Sequence, residues 1–80
     1  MKLIENVTHA TKPVMYFGVQ FHIPNHHHYI ATDCDGSVYS YIDKPHADEY
    51  YYMGEDAKYL GLAYVSENDN WRDSLMHVDW

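Results

Sequence analysis

Between Val14 and Ile23 the apolar residues alternate along the chain. Met15, Phe17, Val19, Phe21 and Ile23 fall on one parity; Tyr16, Gly18, Gln20 and His22 fall on the other. Successive side chains leave a strand on opposite faces, so period two marks a half-buried strand. The pattern predicts one strand over 14–23, opened by Pro13 and closed by a turn at Pro24-Asn25. A second strand is expected over 28–32. Asp33-Cys34-Asp35-Gly36 then reads as a hairpin connection, because Asp-Gly supplies the positive φ of tight turns. Residues 37–42 return antiparallel, making 14–42 a three-stranded meander.

Asp43-Lys44-Pro45 closes that unit. Residues 46–57 are acidic and rich in tyrosine, and read as a loop with a turn at Gly54 and a short strand at 50–53. A fourth strand is expected over 58–65, followed by a polar turn over 66–70. Beyond it two patterns compete. Asn70 can cap a short helix, with Asp73 as a capping-box partner and Trp71, Leu75 and Val78 on one face. A strand would instead align Met76, Val78 and Trp80. The helical turn is the preferred reading. Residues 1–12 read as a lead-in strand or an ordered arm.

The expected fold is mainly β, with a small α+β domain as the variant. It is an antiparallel meander of about four strands, with 14–23 central and a short C-terminal helix or turn, in one domain over 1–80. The core is expected to hold Phe17, Val19, Phe21, Ile30, Val38, Leu60, Leu62, Trp71 and Leu75.

Composition adds constraints. Eighty residues make a thin core, and small domains usually compensate with disulfides, a metal or oligomerisation. One cysteine, Cys34, closes the disulfide route and fits a reducing cytoplasm. Good packing, a metal or assembly into a homo-oligomer remains. Nine tyrosines favour strands and also suit protein recognition. Net charge is −7 and unevenly placed. Residues 1–42 carry Glu5, Asp33 and Asp35 against Lys2 and Lys12, or −1; residues 43–80 carry nine acids against Lys44, Lys58 and Arg72, or −6. Nucleic-acid binding needs a basic footprint, and anionic membranes attract the same charge, so neither partner is expected. No apolar run approaches a membrane span, and residues 1–5 do not form a signal peptide. An intracellular location is expected.

The histidines are the metal candidates. On a strand His26 and His28 would point the same way, and His22 lies four residues before the run. Zinc takes three or four such ligands at about 2.0–2.3 Å. The competing reading is a polar turn. Asp33-x-Asp35-Gly36 matches only part of a calcium loop, because the third oxygen residue and the closing glutamate are missing. Cys34 stands between aspartates, which disfavour a thiolate. Adjacent acids such as Asp48-Glu49 and Glu55-Asp56 read as a solvated face. No catalytic residues are assigned, and no enzyme activity is expected. The better lead is the acidic, aromatic half. Asp48, Glu49, Glu55 and Asp56 can steer a basic partner, with Tyr50, Tyr51 and Tyr52 as anchors and Trp71 at the rim.

Two stretches resemble small accessory proteins of large tailed bacteriophages of the T-even type. One is Tyr29-Ile30-Ala31-Thr32-Asp33-Cys34-Asp35-Gly36-Ser37-Val38-Tyr39-Ser40-Tyr41 with the following Lys44-Pro45. The other is Tyr59-Leu60-Gly61 with Asn70-Trp71-Arg72-Asp73-Ser74-Leu75. The likeness spans roughly 14–78. Asn70 stands where the relatives carry Asp, and Tyr50 to Tyr52 replace a loop tryptophan. What the resemblance implies is a phage accessory protein in the host cytoplasm. It would bind a host protein through a basic site and so inhibit or modulate host machinery or anti-phage defence. The alternatives are a metal-binding structural or regulatory module built on the histidines, and a minor virion or scaffold component.

Overall fold

The computed structural model describes residues 11–65 and 70–79. The expected lead-in over 1–10, the turn residues 66–69 and Trp80 lie outside the described residues. The fold is mainly β: eight antiparallel strands, with a single 3-10 turn as the only helical element among the described residues.

The run 14–23 is not one strand. It forms most of a hairpin, with β1 over Thr11–Tyr16 and β2 over Val19–Pro24. Phe17 and Gly18 make the turn, with φ of +48° and +80°. Two successive positive φ values twist a two-residue turn in the sense of the flanking strands. Val14 lies opposite Phe21, and Tyr16 opposite Val19. The inward parity therefore changes at the turn, from Val14 and Tyr16 on β1 to Phe21 and Ile23 on β2. The hairpin is a sheet of its own, so 14–23 is not central and 14–42 is not one meander.

The central sheet is built from β3 (Tyr29–Thr32), β4 (Ser37–Tyr41), β7 (Lys58–Leu62) and β8 (Met76–His77), in the order β7-β4-β3-β8. The Asp33–Gly36 connection forms as expected: Gly36 N–H donates to Asp33 C=O at 2.9 Å, and Asp33 N–H to Ser37 C=O at 2.8 Å. Gly36 has φ +95°, and a Cβ there would meet the Ala63 carbonyl oxygen, so the position takes only glycine comfortably. On β7, Leu60 is the extra residue of a bulge, because Tyr59 and Gly61 face adjacent residues of β4. The short β5 (His46–Ala47) and β6 (Tyr52–Met53) pair with each other.

Both faces of the central strands are covered, and they differ in chemistry. Ile30 and Val38 pack with Val14, Tyr16, Ile23 and Val78, with Phe21, Leu60 and Met76 at the margin. This side receives the hairpin. Ala31 and Tyr41 pack with Tyr52 on the opposite side, bordered by Tyr29, Tyr39, Trp71 and Leu75. The cross-strand register produces the split: Ile30 faces Ser40 and Thr32 faces Val38, whereas Tyr29 faces Tyr41 and Ala31 faces Tyr39.

Of the expected core, Ile30 and Val38 are fully buried, and Phe21, Leu60, Trp71 and Leu75 are half-buried against it. Phe17 and Leu62 are corrections, being 78% and 74% exposed, and Val19 is exposed as well. Phe17 sits on the hairpin turn, and Leu62 ends the edge strand β7, paired with Ser37 of β4 on one side only. With Tyr64 they border an apolar groove of about 860 Å³.

The preferred C-terminal reading, a helical turn capped by Asn70, is met, but the turn is short and a two-residue strand follows it. Trp71–Asp73 form a 3-10 turn capped by Asn70, whose Oδ1 accepts the Arg72 N–H, and β8 follows. Trp71, Leu75 and Val78 do not share a face: Val78 joins the aliphatic cluster, and the other two border the aromatic one.

Candidate functional site

Two sets of side chains could carry function. The first is the acidic, aromatic segment. Cys34 N–H donates to Tyr50 C=O at 3.0 Å, and Tyr52 N–H donates to Asp33 Oδ1 at 2.8 Å. These bonds fasten 50–52 to the tip of the β3–β4 hairpin. Tyr50 and Tyr51 are exposed, at 66% and 47%, and border a cleft with Cys34 and Asp35. Asp48 and Glu49 are exposed beside them. Arg72 reaches the same loop, donating to the carbonyls of Asp48 at 2.8 Å and Glu49 at 3.0 Å. Its guanidinium also lies 4.5 Å from the centre of the half-buried Trp71 ring. The loop is thus held through its backbone on two sides, while Asp48 and Glu49 stay exposed and Asp48 Oδ1 accepts the Glu49 N–H at 2.9 Å.

Tyr52 does not belong to this exposed set. It is 7% exposed, its ring meets Trp71 edge-on at 5.5 Å, and its hydroxyl donates to Arg72 C=O at 2.7 Å. As the β6 residue opposite Ala47, it is drawn into the aromatic core and cannot serve as an anchor. Burial is the main influence on Asp33 beneath it, pushing its carboxyl above the usual range, partly offset by the Tyr52 N–H. Cys34 is exposed and has no disulfide partner.

The second set is the histidine cluster. The segment after β2 turns at Asn25-His26, and His27 N–H closes it by donating to Pro24 C=O at 2.9 Å. Because 26–28 is not a strand, alternation does not pair His26 with His28. Adjacent His26 and His27 converge instead, with ring centres 4.6 Å apart. Asp56, on the turn between β6 and β7, meets both. Its Oδ2 lies 2.9 Å from His26 Nε2 and 3.1 Å from His27 Nε2. The three donor atoms lie within 4.8 Å of one another. His27 is buried, and its Nδ1 contacts the buried Ser40 Oγ at 2.7 Å. Burial lowers the His27 pKa, and hydrogen bonds from His26 and then His27 lower that of Asp56.

His22 lies on the exposed side of β2 opposite Pro13. His28 uses its backbone to extend the sheet, donating to Tyr41 C=O at 2.9 Å and accepting from Val78 N–H at 2.7 Å. Of the histidines selected by spacing, the structure therefore groups only His26 with other donors. His27 and Asp56 complete the group. Asp56 is 30 residues from His26, and nothing in local spacing announces that contact. Glu55 is exposed at the same turn.

Comparison of the chain with protein-family models, curated proteins and solved structures finds no match.

Proposed function

We propose that this chain is a non-catalytic accessory protein that binds a basic site on a host protein, as the resemblance to small T-even-type phage proteins implies. In that reading it acts in the host cytoplasm by stoichiometric binding, as an inhibitor or modulator. The observation that supports it is the presentation of Tyr50 and Tyr51 beside Asp35, Asp48 and Glu49, held in place by the Cys34–Tyr50 and Arg72–Asp48 contacts. Pre-ordered aromatics lose little entropy on docking, and the surrounding carboxylates draw in Lys and Arg.

The test is kinetic. Once affinity capture from host cells supplies a purified partner, association and dissociation are followed across a salt series. Asp35→Asn/Asp48→Asn/Glu49→Gln should slow association at low salt and flatten its salt dependence. Tyr51→Ala should speed dissociation by about tenfold or more, as loss of an anchor does. Wild-type rates for both variants at every salt concentration would refute this surface as the interface. Asp56 is left unchanged here, so the outcome is separable from the histidine cluster.

A further inference from the structure

We propose that His26, His27 and Asp56 form a binding site for a divalent transition metal of the zinc class. The site would join the β2–β3 connection to the β6–β7 turn.

Three observations carry this. The first is convergence. Two imidazole Nε2 atoms approach a single carboxylate oxygen, at 2.9 and 3.1 Å. Ligands about 2.0–2.2 Å from a tetrahedral ion stand roughly 3.3–3.6 Å apart. Opening the two contacts with Asp56 slightly, and closing the widest separation of the set from 4.8 Å, would admit an ion between them.

The second is anchoring. His27 is 1% exposed, and its far nitrogen, Nδ1, contacts Ser40 Oγ at 2.7 Å. When Nδ1–H donates to Ser40, Nε2 carries the lone pair and faces the cluster. Metal-bound histidines are oriented by this kind of outer contact. Ser40 is fully buried on the central strand β4, so the ring is fixed by the most enclosed part of the sheet.

The third is access. The other two donors are open to solvent, with side-chain exposures of 59% for His26 and 60% for Asp56. An ion can enter, and water can complete its coordination. Two imidazoles and one carboxylate match zinc and its neighbours, whereas magnesium and calcium prefer all-oxygen sets.

Ion binding would tether two turns that are connected here by the contacts of His26 and His27 with the exposed Asp56. A ligand that binds only the folded state raises stability by mass action. This fits a domain whose single cysteine rules out an internal disulfide.

The experiment titrates zinc into the full chain, followed by calorimetry and thermal melting. Cobalt serves as a spectroscopic probe of tetrahedral nitrogen and oxygen ligation. The chain has seven histidines, so the variants decide the site. His26→Ala and Asp56→Ala alter exposed groups and should fold. His22→Ala is the control. The expected result is one zinc per chain and a rise in Tm of about 5 °C or more at saturation. His26→Ala and Asp56→Ala should each weaken binding at least tenfold, and His22→Ala should leave it intact. Binding or stabilisation that survives in His26→Ala and Asp56→Ala would overturn the proposal. So would its loss in His22→Ala, an equal response to magnesium, or no response to zinc.

Discussion

The Ser74 side chain takes the place of a strand partner for the Thr32 backbone. Ser74 Oγ accepts the Thr32 N–H at 2.9 Å and donates to the Thr32 carbonyl at 3.1 Å. Backbone pairing between β3 and β8 covers only Tyr29 with His77 and Ile30 with Met76. One hydroxyl continues that edge and satisfies both polar groups of a buried residue. The Ser74 carbonyl in turn accepts the Tyr16 hydroxyl at 2.9 Å. Tyr16 has one proton, so Thr32 Oγ1 is the donor in their 2.7 Å contact. The hairpin, the central sheet and the C-terminal segment meet in this network.

Ser74→Ala should therefore cost about 1–3 kcal/mol, since it strips a buried N–H of its acceptor. Urea denaturation would show the loss as a lower midpoint with unchanged slope. A midpoint equal to wild type would mean that water or the backbone replaces the hydroxyl.

Phe17 and Ile30 should behave oppositely, although both fall on apolar positions of the pattern. Ile30→Ala empties a fully buried site and should cost about 2–5 kcal/mol. Phe17→Asn removes an exposed ring and suits a positive φ better than an aromatic residue does. It also gives up the edge contact with Tyr16, with ring centres 4.8 Å apart. The net change should stay within about 1 kcal/mol of wild type, because strain relief and the lost contact are of similar size. Thermal melting of the two variants checks the difference; unfolding of Phe17→Asn would return Phe17 to the core.

Asp33 should make the protein lose stability as its carboxyl ionises. Burial raises its folded pKa above the unfolded value, the Tyr52 N–H pulls it back in part, and Asp35 pushes it up further. The Tyr41 phenol also senses its charge. The favourable contribution is fully present below the ordinary carboxylate pKa of about 3.9. It disappears as pH rises through the raised folded value. Asp33→Asn keeps an acceptor for Tyr52 N–H but has no charge to bury. The wild-type stability minus that of Asp33→Asn should fall as pH increases from about 3 to 7. A difference that rises over that window would show the carboxylate to be stabilised in the fold.

Local patterns were sufficient for the class of fold and several of its parts. Asp35-Gly36 marked the β3–β4 hairpin because the turn depends on the glycine itself. Asn70 marked the 3-10 turn because a side-chain cap acts within three residues. Alternation identified strand-forming sequence over 14–23, but not the reversal at Phe17-Gly18, because apolar residues occupy both parities before the turn. Burial of Tyr52 and exposure of Phe17 and Leu62 were decided by the tertiary structure. Each depends on whether another strand lies across that position, and side-chain chemistry alone does not carry that information. The same holds for the histidine cluster. The run 26–28 named the chemistry, but a turn chose His26 and His27, and a distant turn delivered Asp56. Ligand geometry arises from chain segments brought together after folding, so spacing along the sequence could propose donors without selecting the set that meets.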